Sequence, residues 1–193
     1  MVMIYGQIVD HDMMKTPENV AVDECCPIEN RNSPSCCPII APPSDHHYGK
    51  EGRSTCIEFL RSLRVKGIDC GARSDVQNEN TAFLDASFLY GSDQHQADVV
   101  RAFEGGALRS FLDGRHRMFP PLPRNMSDLK TVPVSGCCDM GDRRSDVHSG
   151  FMMIHIALLR LHNNVAERLS EMHPDWSDDW VFQGGVSIEK FLP

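Results

Sequence analysis

The chain has 193 residues, of which 41% are hydrophobic and 24% are charged, and its formal net charge is -8. A chain of this length can form one domain that buries roughly 70% of its unfolded surface, and the composition is that of an ordinary globular protein. The acidic balance argues against a nucleic-acid or anionic-membrane partner, because no basic stripe is present to neutralise phosphates. No apolar run approaches the roughly 20 residues needed to cross a bilayer, so we predict no membrane span.

The N-terminal segment GQIVDHD, at residues 6–12, places His11 between Asp10 and Asp12 and four residues after Gln7. On a helix, Gln7 and His11 would share one face, since residues four apart are neighbours on a helix surface. A histidine above a haem iron can take a proton from hydrogen peroxide and return it to the departing oxygen, and a neighbouring carboxylate can hold haem or a cation. Histidines between aspartates are also common on solvated loops, so the segment alone leaves both interpretations open.

Residues 17–56 are rich in proline and cysteine and show no sustained hydrophobic period, which predicts an irregular segment with little helix. The chain has eight cysteines, and this even number favours disulfides and an oxidising compartment without selecting a connectivity. The competing interpretation is a zinc site formed by Cys25, Cys26, Cys36 and Cys37 together with His46 or His47. Structural zinc sites usually separate paired ligands by about two to four residues, whereas these cysteines are adjacent in pairs. We therefore predict disulfides.

Two helices are predicted in the second half of the chain. Residues 93–103 have an apolar side, with Ser92 as the predicted N-cap and Gly105-Gly106 as the stop. Apolar positions recur from residue 151 to about residue 171, which predicts a long, mostly buried helix. No convincing run of alternating strand residues is present, so the expected fold class is mainly α.

Three blocks of the sequence resemble segments of the animal haem peroxidases, a family that includes myeloperoxidase, peroxidasin, the insect chorion peroxidases and the peroxinectins. The blocks are GQIVDHDMMKTP at 6–17, TAFLDASFLYGS at 81–92 and GDRRSDVHSGFMMIHIALLRLHNNVAERL at 141–169, and they occur in the family's order. CIEFLRS at 56–62 and FEGGALRS at 103–110 are also similar. The resemblance implies that residues 1–193 form the distal half of a mainly α-helical haem peroxidase domain, without the secretory signal and the proximal histidine that binds iron.

The resemblance also assigns roles around the haem. His11 corresponds to the distal acid–base catalyst, and Arg144 to the distal arginine that stabilises negative charge on the leaving oxygen. Gln7 would help to order water or halide above the iron. Asp10 corresponds to the carboxylate that can form an ester with a methyl group of haem b. Val147 stands where the mammalian members have a glutamate that makes a second ester, so that ester cannot form here.

A calcium site is implied by the second block. Its oxygen ligands would be Thr81, the backbone carbonyl of Phe83, Asp85 and Ser87, with Asp12 as a distant fifth ligand. Ca²⁺ prefers about six to eight hard oxygen ligands, which a mixture of carboxylate, hydroxyl and carbonyl groups supplies. Read without the resemblance, the same block is a buried segment in which Asp85 caps a turn. If the ion is present, it would clamp this loop to the segment that carries His11.

Two further histidines, His155 and His162, lie seven residues apart on the predicted long helix and therefore on nearly the same face. In the family this helix is scaffold, and a helical histidine in an apolar setting is more often hydrogen-bonded structure than a metal ligand. We therefore assign neither to the iron.

The function implied by the resemblance is a secreted, extracellular peroxidase that acts in the response to oxidative stress. It would reduce hydrogen peroxide while oxidising a halide, a phenol or a protein tyrosine, with haem b and Ca²⁺ as cofactors. Since we expect the proximal ligand to lie outside these residues, the chain alone is expected to be inactive. The alternative is a noncatalytic adhesion or matrix protein of peroxinectin type, whose partner would be an extracellular-matrix or cell-surface component. Haem binding would distinguish the two.

Overall fold

The computed structural model describes residues 2–17, 24–48, 55–65, 75–121 and 138–190. In these ranges the α-helices are α1 Val2–Met13, α2 Ser87–Tyr90, α3 Gln94–Val100, α4 Ser149–Met172 and α5 Asp178–Lys190, with a 3-10 helix at Arg143–Asp146. The strands are β1 Ile39–Ile40, β2 Cys56–Ile57, β3 Phe111–Leu112 and β4 Met118–Phe119. They form two antiparallel pairs, β1 with β2 and β3 with β4. The mainly α class is confirmed, and strands of two residues are too short to leave an alternating pattern in the sequence.

The chain divides into two compact units, one of residues 1–14 and 80–193 and the other of residues 15–79. The second unit closes on itself, because the backbone amide of Glu79 donates to the carbonyl of Lys15 at 2.8 Å and the Lys15 amide donates to Asn78 Oδ1 at 2.8 Å. Because these two ends are paired, α1 and residue 80 lie next to each other in space, although residues 15–79 separate them in the sequence. The unit is therefore an insertion in the first unit.

Two disulfides, Cys25–Cys36 and Cys26–Cys56, hold the second unit together. No helix occurs among its described residues, as the sequence predicted. The zinc interpretation is wrong, because three of its four proposed cysteines are oxidised to disulfides. Cys37, the fourth, is free and exposed. Cys138 is also disulfide-bonded, whereas Cys70 and Cys137 lie outside the described residues.

The core of the first unit is built by α4 and the elements that pack on it. α4 confirms the long helix expected over 151–171, and it begins where His148 Nδ1 accepts a hydrogen bond from the Gly150 amide at 3.1 Å. The buried hydrophobic cluster contains Phe88, Leu89, Tyr90, Val100, Leu108, Leu159, Phe182 and Val186. Members of this cluster come from α2, α3, α4 and α5, so α4 and α5 bury their apolar faces against each other and against α2.

The predicted helix over 93–103 is shorter in the structure, and its N-cap is different. α3 spans Gln94–Val100, and Asp93 rather than Ser92 caps it by accepting from the Gln96 amide at 2.8 Å. The helix ends because Arg101 is extended and pairs with Leu108 in an antiparallel bridge. The Arg101 guanidinium also binds Asp178 at 2.6 Å, so a contact with the start of α5 overrides the helical pattern.

A buried polar cluster joins α2, α4 and α5. The Tyr90 hydroxyl donates to the carboxylate of Glu189 and lies 2.9 Å from His162 Nδ1, while His162 Nε2 lies 2.9 Å from the carbonyl oxygen of Gly106. Burial is the main cause that raises the pKa of Glu189 to about 7, and burial also lowers the pKa of His162. His162 thus makes structural hydrogen bonds at the centre of the helix packing.

Candidate active site

His11 lies in the last turn of α1, and it is buried, with 6% of its surface exposed. Its ring meets the ring of Phe151 from α4 edge-on, with 4.3 Å between the centroids. Burial is the largest cause that lowers the pKa of His11, followed by the charge of Arg144, while Asp142 and Asp10 oppose the shift. These surroundings favour the neutral imidazole, which is the form that can accept a proton.

Arg144 lies in the 3-10 helix and is held by Asp142, a residue that the sequence analysis did not identify. Asp142 caps this helix by accepting from the Arg144 amide at 2.8 Å, and its carboxylate lies 2.5 Å from Arg144 Nη2. Burial opposes ionisation of Asp142, but hydrogen bonds from Arg144 outweigh it and keep the pKa of this carboxyl below its ordinary value. The aspartate two positions before the arginine matches an N-cap, so a capping pattern in the sequence was the available signal.

The structure brings His11 and Arg144 together through the main chain of His11. Arg144 Nη2 donates to the His11 carbonyl oxygen at 3.2 Å, across 133 positions of sequence. Asn80 Nδ2 donates to the same oxygen at 2.5 Å and to the Asp12 carbonyl at 3.3 Å. Carbonyls in the last turn of a helix have no partner within the helix, so Arg144 and Asn80 cap the C-terminus of α1. Asn80 was missed because nothing local in the sequence indicates a cap so distant from its helix.

If peroxide is to touch both His11 and Arg144, the two side chains should face each other across an open pocket, and here the structure differs. The imidazole is buried because Phe151 packs against it, and its Nδ1 atom has no hydrogen-bond partner within the described residues. Gln7 is partly exposed one helical turn earlier, and Asp10 is exposed beside His11. The three side chains therefore lie within the last seven residues of α1 but differ in their access to solvent.

All five residues of the predicted calcium site lie in one hydrogen-bonded cluster, although 73 positions separate Asp12 from Asp85. Asp12 is 2% exposed, and its Oδ2 accepts from the amides of Asp85 at 2.8 Å and Ala86 at 3.0 Å. The Ser87 hydroxyl donates to Asp12 Oδ1 at 3.1 Å. The Thr81 hydroxyl lies 2.8 Å from Asp85 Oδ2 and 3.3 Å from the Phe83 carbonyl oxygen. The cluster thus gathers carboxylate, hydroxyl and carbonyl oxygens from α1, from the loop before α2 and from the first residue of α2.

The chemistry of this donor set suits a hard cation, since all of its candidate ligands are oxygen atoms. It contains only two carboxylates, and within the described ranges no group of three or more His, Cys, Asp and Glu residues is placed to hold a metal ion. A cation at this position would therefore depend on the neutral hydroxyl and carbonyl oxygens for most of its ligands. Ala86 adopts a left-handed conformation with φ 61°, which turns the loop into α2 at the cluster.

His155, on α4, is fully buried, and its Nδ1 lies 3.1 Å from the carbonyl oxygen of Phe151. Burial is the largest cause that lowers its pKa. Its ring packs edge-on against both Phe88 and Phe151.

Val147 is 57% exposed. Within the described residues no helix is both long enough and apolar enough to cross a bilayer.

Two solved structures share the fold of this chain. Peroxidase A from Dictyostelium discoideum matches with a TM-score of 0.74 and 22% identity, over 97% of this chain and 36% of that chain. A fatty acid α-dioxygenase from Oryza sativa matches with a TM-score of 0.69 and 20% identity, over 97% of this chain and 26% of that chain. At these identities the likeness concerns the fold, which is that of a haem-peroxidase-like helical domain.

Sequence comparison gives the family. The family model for animal haem peroxidase matches residues 1–187. Peroxidase skpo-1 of Caenorhabditis elegans is 37% identical over 204 aligned positions, which cover 100% of this chain and 28% of the relative. The chorion peroxidase of Drosophila melanogaster is 32% identical over 100% of this chain and 26% of its own length. The chain belongs to the animal haem peroxidase family, and it spans between a quarter and three tenths of these relatives.

Proposed function

We propose that the chain forms the distal side of a haem peroxidase site that cleaves hydrogen peroxide. The observation that carries the proposal is the junction of His11 and Arg144, where the clamped guanidinium donates to the backbone carbonyl of His11 at 3.2 Å. The imidazole of the same residue is buried, and its pKa is lowered. A neutral imidazole can take the peroxide proton and return it to the departing oxygen. The fixed positive charge of Arg144 can stabilise the negative charge that develops on that oxygen.

The residues on α1 fit a haem held on this side. Asp10 is exposed beside the buried His11 and is the carboxylate that would form an ester with a methyl group of haem b, while Val147 offers no second ester. Gln7 would order water or halide next to His11. Haem, when bound, supplies the redox change that peroxide reduction requires. Nδ1 of His11 is a buried polar atom with no hydrogen-bond partner among the residues that the structure describes, and the completed site would supply that partner.

The remainder of the proposal concerns the whole protein. Residues 1–193 would be the distal half of one peroxidase domain, and the complete site would oxidise a halide, a phenol or a protein tyrosine in the response to oxidative stress. Ca²⁺ bound by Asp12, Thr81, Phe83, Asp85 and Ser87 would fasten the loop before α2 to the helix that carries His11. Support comes from the family, from the gathered oxygen atoms and from the cap of α1 that these elements share.

Secretion is the proposed location, because two disulfides in an irregular segment are typical of an oxidising compartment. The second candidate is a noncatalytic extracellular adhesion or matrix protein. It is favoured by the burial of His11, which limits access to the imidazole in the described residues. Titration of the purified protein with haem separates the candidates, since an adhesion protein needs no stoichiometric haem binding.

The decisive test is the rate of peroxide cleavage by a haem-loaded protein that contains this chain. Replacing His11 by Ala should slow this step at least about a hundredfold, which is the usual scale of acid–base help. The exposed His95 on α3 provides the control, and His95→Ala should leave the rate unchanged. A His11→Ala rate within about threefold of the unsubstituted protein would reject the proposed role of His11.

A further inference from the structure

Most of the hydrogen bonds of the Arg144 guanidinium go to Asp142, two positions earlier in the chain. Arg144 Nε lies 3.1 Å from both carboxylate oxygens, and Nη2 lies 2.5 Å from Oδ2. The Asp142 side chain is 3% exposed and the Arg144 side chain 27% exposed, so the carboxylate lies beneath the guanidinium. Bidentate pairs of arginine and carboxylate are strong and geometrically specific, so this pair restricts the rotation of the arginine head group.

The clamp engages one edge of the guanidinium and leaves the other available. Nη2 donates to the His11 carbonyl in addition to Asp142, whereas Nη1 makes no hydrogen bond within the described residues. Nη1 is also absent from the buried atoms that lack a partner in those residues. Within the described residues, Nε and Nη2 are therefore bound by Asp142 and by the His11 carbonyl, while Nη1 is left as a donor without a partner there.

From this geometry we infer that Asp142 is a positioning residue for the proposed peroxide cleavage. It holds Arg144 by Nε and Nη2 so that Nη1 is the donor offered to an incoming oxygen. The inference rests on the proposed function, because it assigns the purpose of the clamp to the same reaction. Donors that are already in position stabilise developing charge without having to reorganise during the reaction. By fixing Arg144, Asp142 would supply such a donor.

Asp142 also caps the 3-10 helix, and a single substitution can separate this role from the clamp. Asparagine caps helix termini about as well as aspartate does, so Asp142→Asn should keep the hydrogen bond to the Arg144 amide. The amide side chain presents only one acceptor oxygen, and it carries no charge. It therefore cannot hold Nε and Nη2 together, and the guanidinium should become mobile while the fold is retained.

The test compares peroxide cleavage by haem-loaded protein that contains this chain, measured by stopped flow. Asp142→Asn should lower the second-order rate constant about 10- to 100-fold, the scale of a catalytic group displaced by about 1 Å. Asp139→Asn is the matched control, because Asp139 pairs with Arg109 at 3.2 Å and lies three positions earlier. This control should change the rate less than about twofold.

A double substitution shows whether Asp142 acts through Arg144. Arg144→Met should slow cleavage by about 100-fold or more, and adding Asp142→Asn to it should cause no further loss, because residues that act through one contact are non-additive. Full additivity would overturn the inference, as would an unaffected rate in Asp142→Asn alone. If Arg144→Met itself leaves the rate unchanged, the role of Arg144 in the proposed function fails instead.

A measurement on the unsubstituted chain covers the case in which Asp142→Asn does not fold. The Nε–H group of Arg144 should exchange slowly with solvent in ¹⁵N NMR spectra, in contrast to that of the exposed Arg168 on α4. Slow exchange supports the clamp, because Nε is enclosed by the Asp142 carboxylate. Exchange as fast as that of Arg168 would overturn it.

Discussion

Replacing Asp12 by Ala should cost about 3 kcal/mol of folding free energy even without calcium. The buried carboxylate accepts from three close donors, the amides of Asp85 and Ala86 and the Ser87 hydroxyl, at 2.8 to 3.1 Å. The Phe88 amide is a fourth donor at 3.4 Å, where a hydrogen bond is weak. Each hydrogen bond to a charged group contributes about 1.5–3 kcal/mol. Water can replace part of the loss at the half-buried Asp85 and Ala86 amides, and Ser87 keeps its bond to the Asp12 carbonyl, so about 1 kcal/mol for each donor is the expected cost.

Urea denaturation followed by circular dichroism, in the presence of EDTA, measures this cost directly. The control is Asp98→Ala, because Asp98 is exposed on α3 and, among the residues that the structure describes, accepts only from Gln94 at 2.7 Å. Its effect should stay within about 0.5 kcal/mol, as for most surface substitutions. A loss below about 1 kcal/mol for Asp12→Ala would refute the reasoning, since it would mean that the three donors find equal partners elsewhere.

Two more outcomes are expected. Calcium at a hundred times its dissociation constant should raise the free energy of unfolding of the unsubstituted chain by about 2.7 kcal/mol. It should leave the free energy of unfolding of Asp12→Ala unchanged. Equal stabilisation of both proteins in the same urea assay would mean that the ion binds elsewhere. Glu189→Gln should gain stability relative to the unsubstituted chain as pH rises from about 4.5 to about 7, by up to about 3 kcal/mol. The sign follows from the raised pKa: the folded carboxyl binds its proton more tightly than the unfolded one, so its stabilisation is present at low pH and lost as pH rises through the folded pKa. Urea denaturation at several pH values tests this prediction, and a difference in unfolding free energy between Glu189→Gln and the unsubstituted chain that stays constant with pH would contradict it.

The sequence alone predicted the features that depend on local pattern. The apolar period from residue 151 to about residue 171 predicted α4, because helix periodicity is written in neighbouring residues. The absence of such a period, with many prolines and cysteines, predicted the irregular second unit. The blocks around His11, Asp85 and Arg144 identified the family, since their residues are contiguous and keep its order.

Other features were decided only by tertiary structure, because they join residues far apart in sequence. The pairing of Cys26 with Cys56 across 30 positions could not be selected from the cysteine count. The end of α3 depends on the pairing of Arg101 with Asp178, 77 positions later, which competes with local helix propensity. A sequence pattern contains no information about such distances.

The candidate site shows the same division between sequence and structure. The chemical roles proposed for His11, Asp12 and Arg144 could be predicted from the sequence, because acid–base, metal-binding and charge chemistry is a property of each side chain. Three features could not be predicted from the sequence: the cap of α1 by Asn80, the clamp of Arg144 by Asp142 and the burial of the His11 imidazole. They arise where α1, the loop before α2 and the 3-10 helix meet, since the unpaired carbonyls at the end of a helix accept whichever donors packing brings to them.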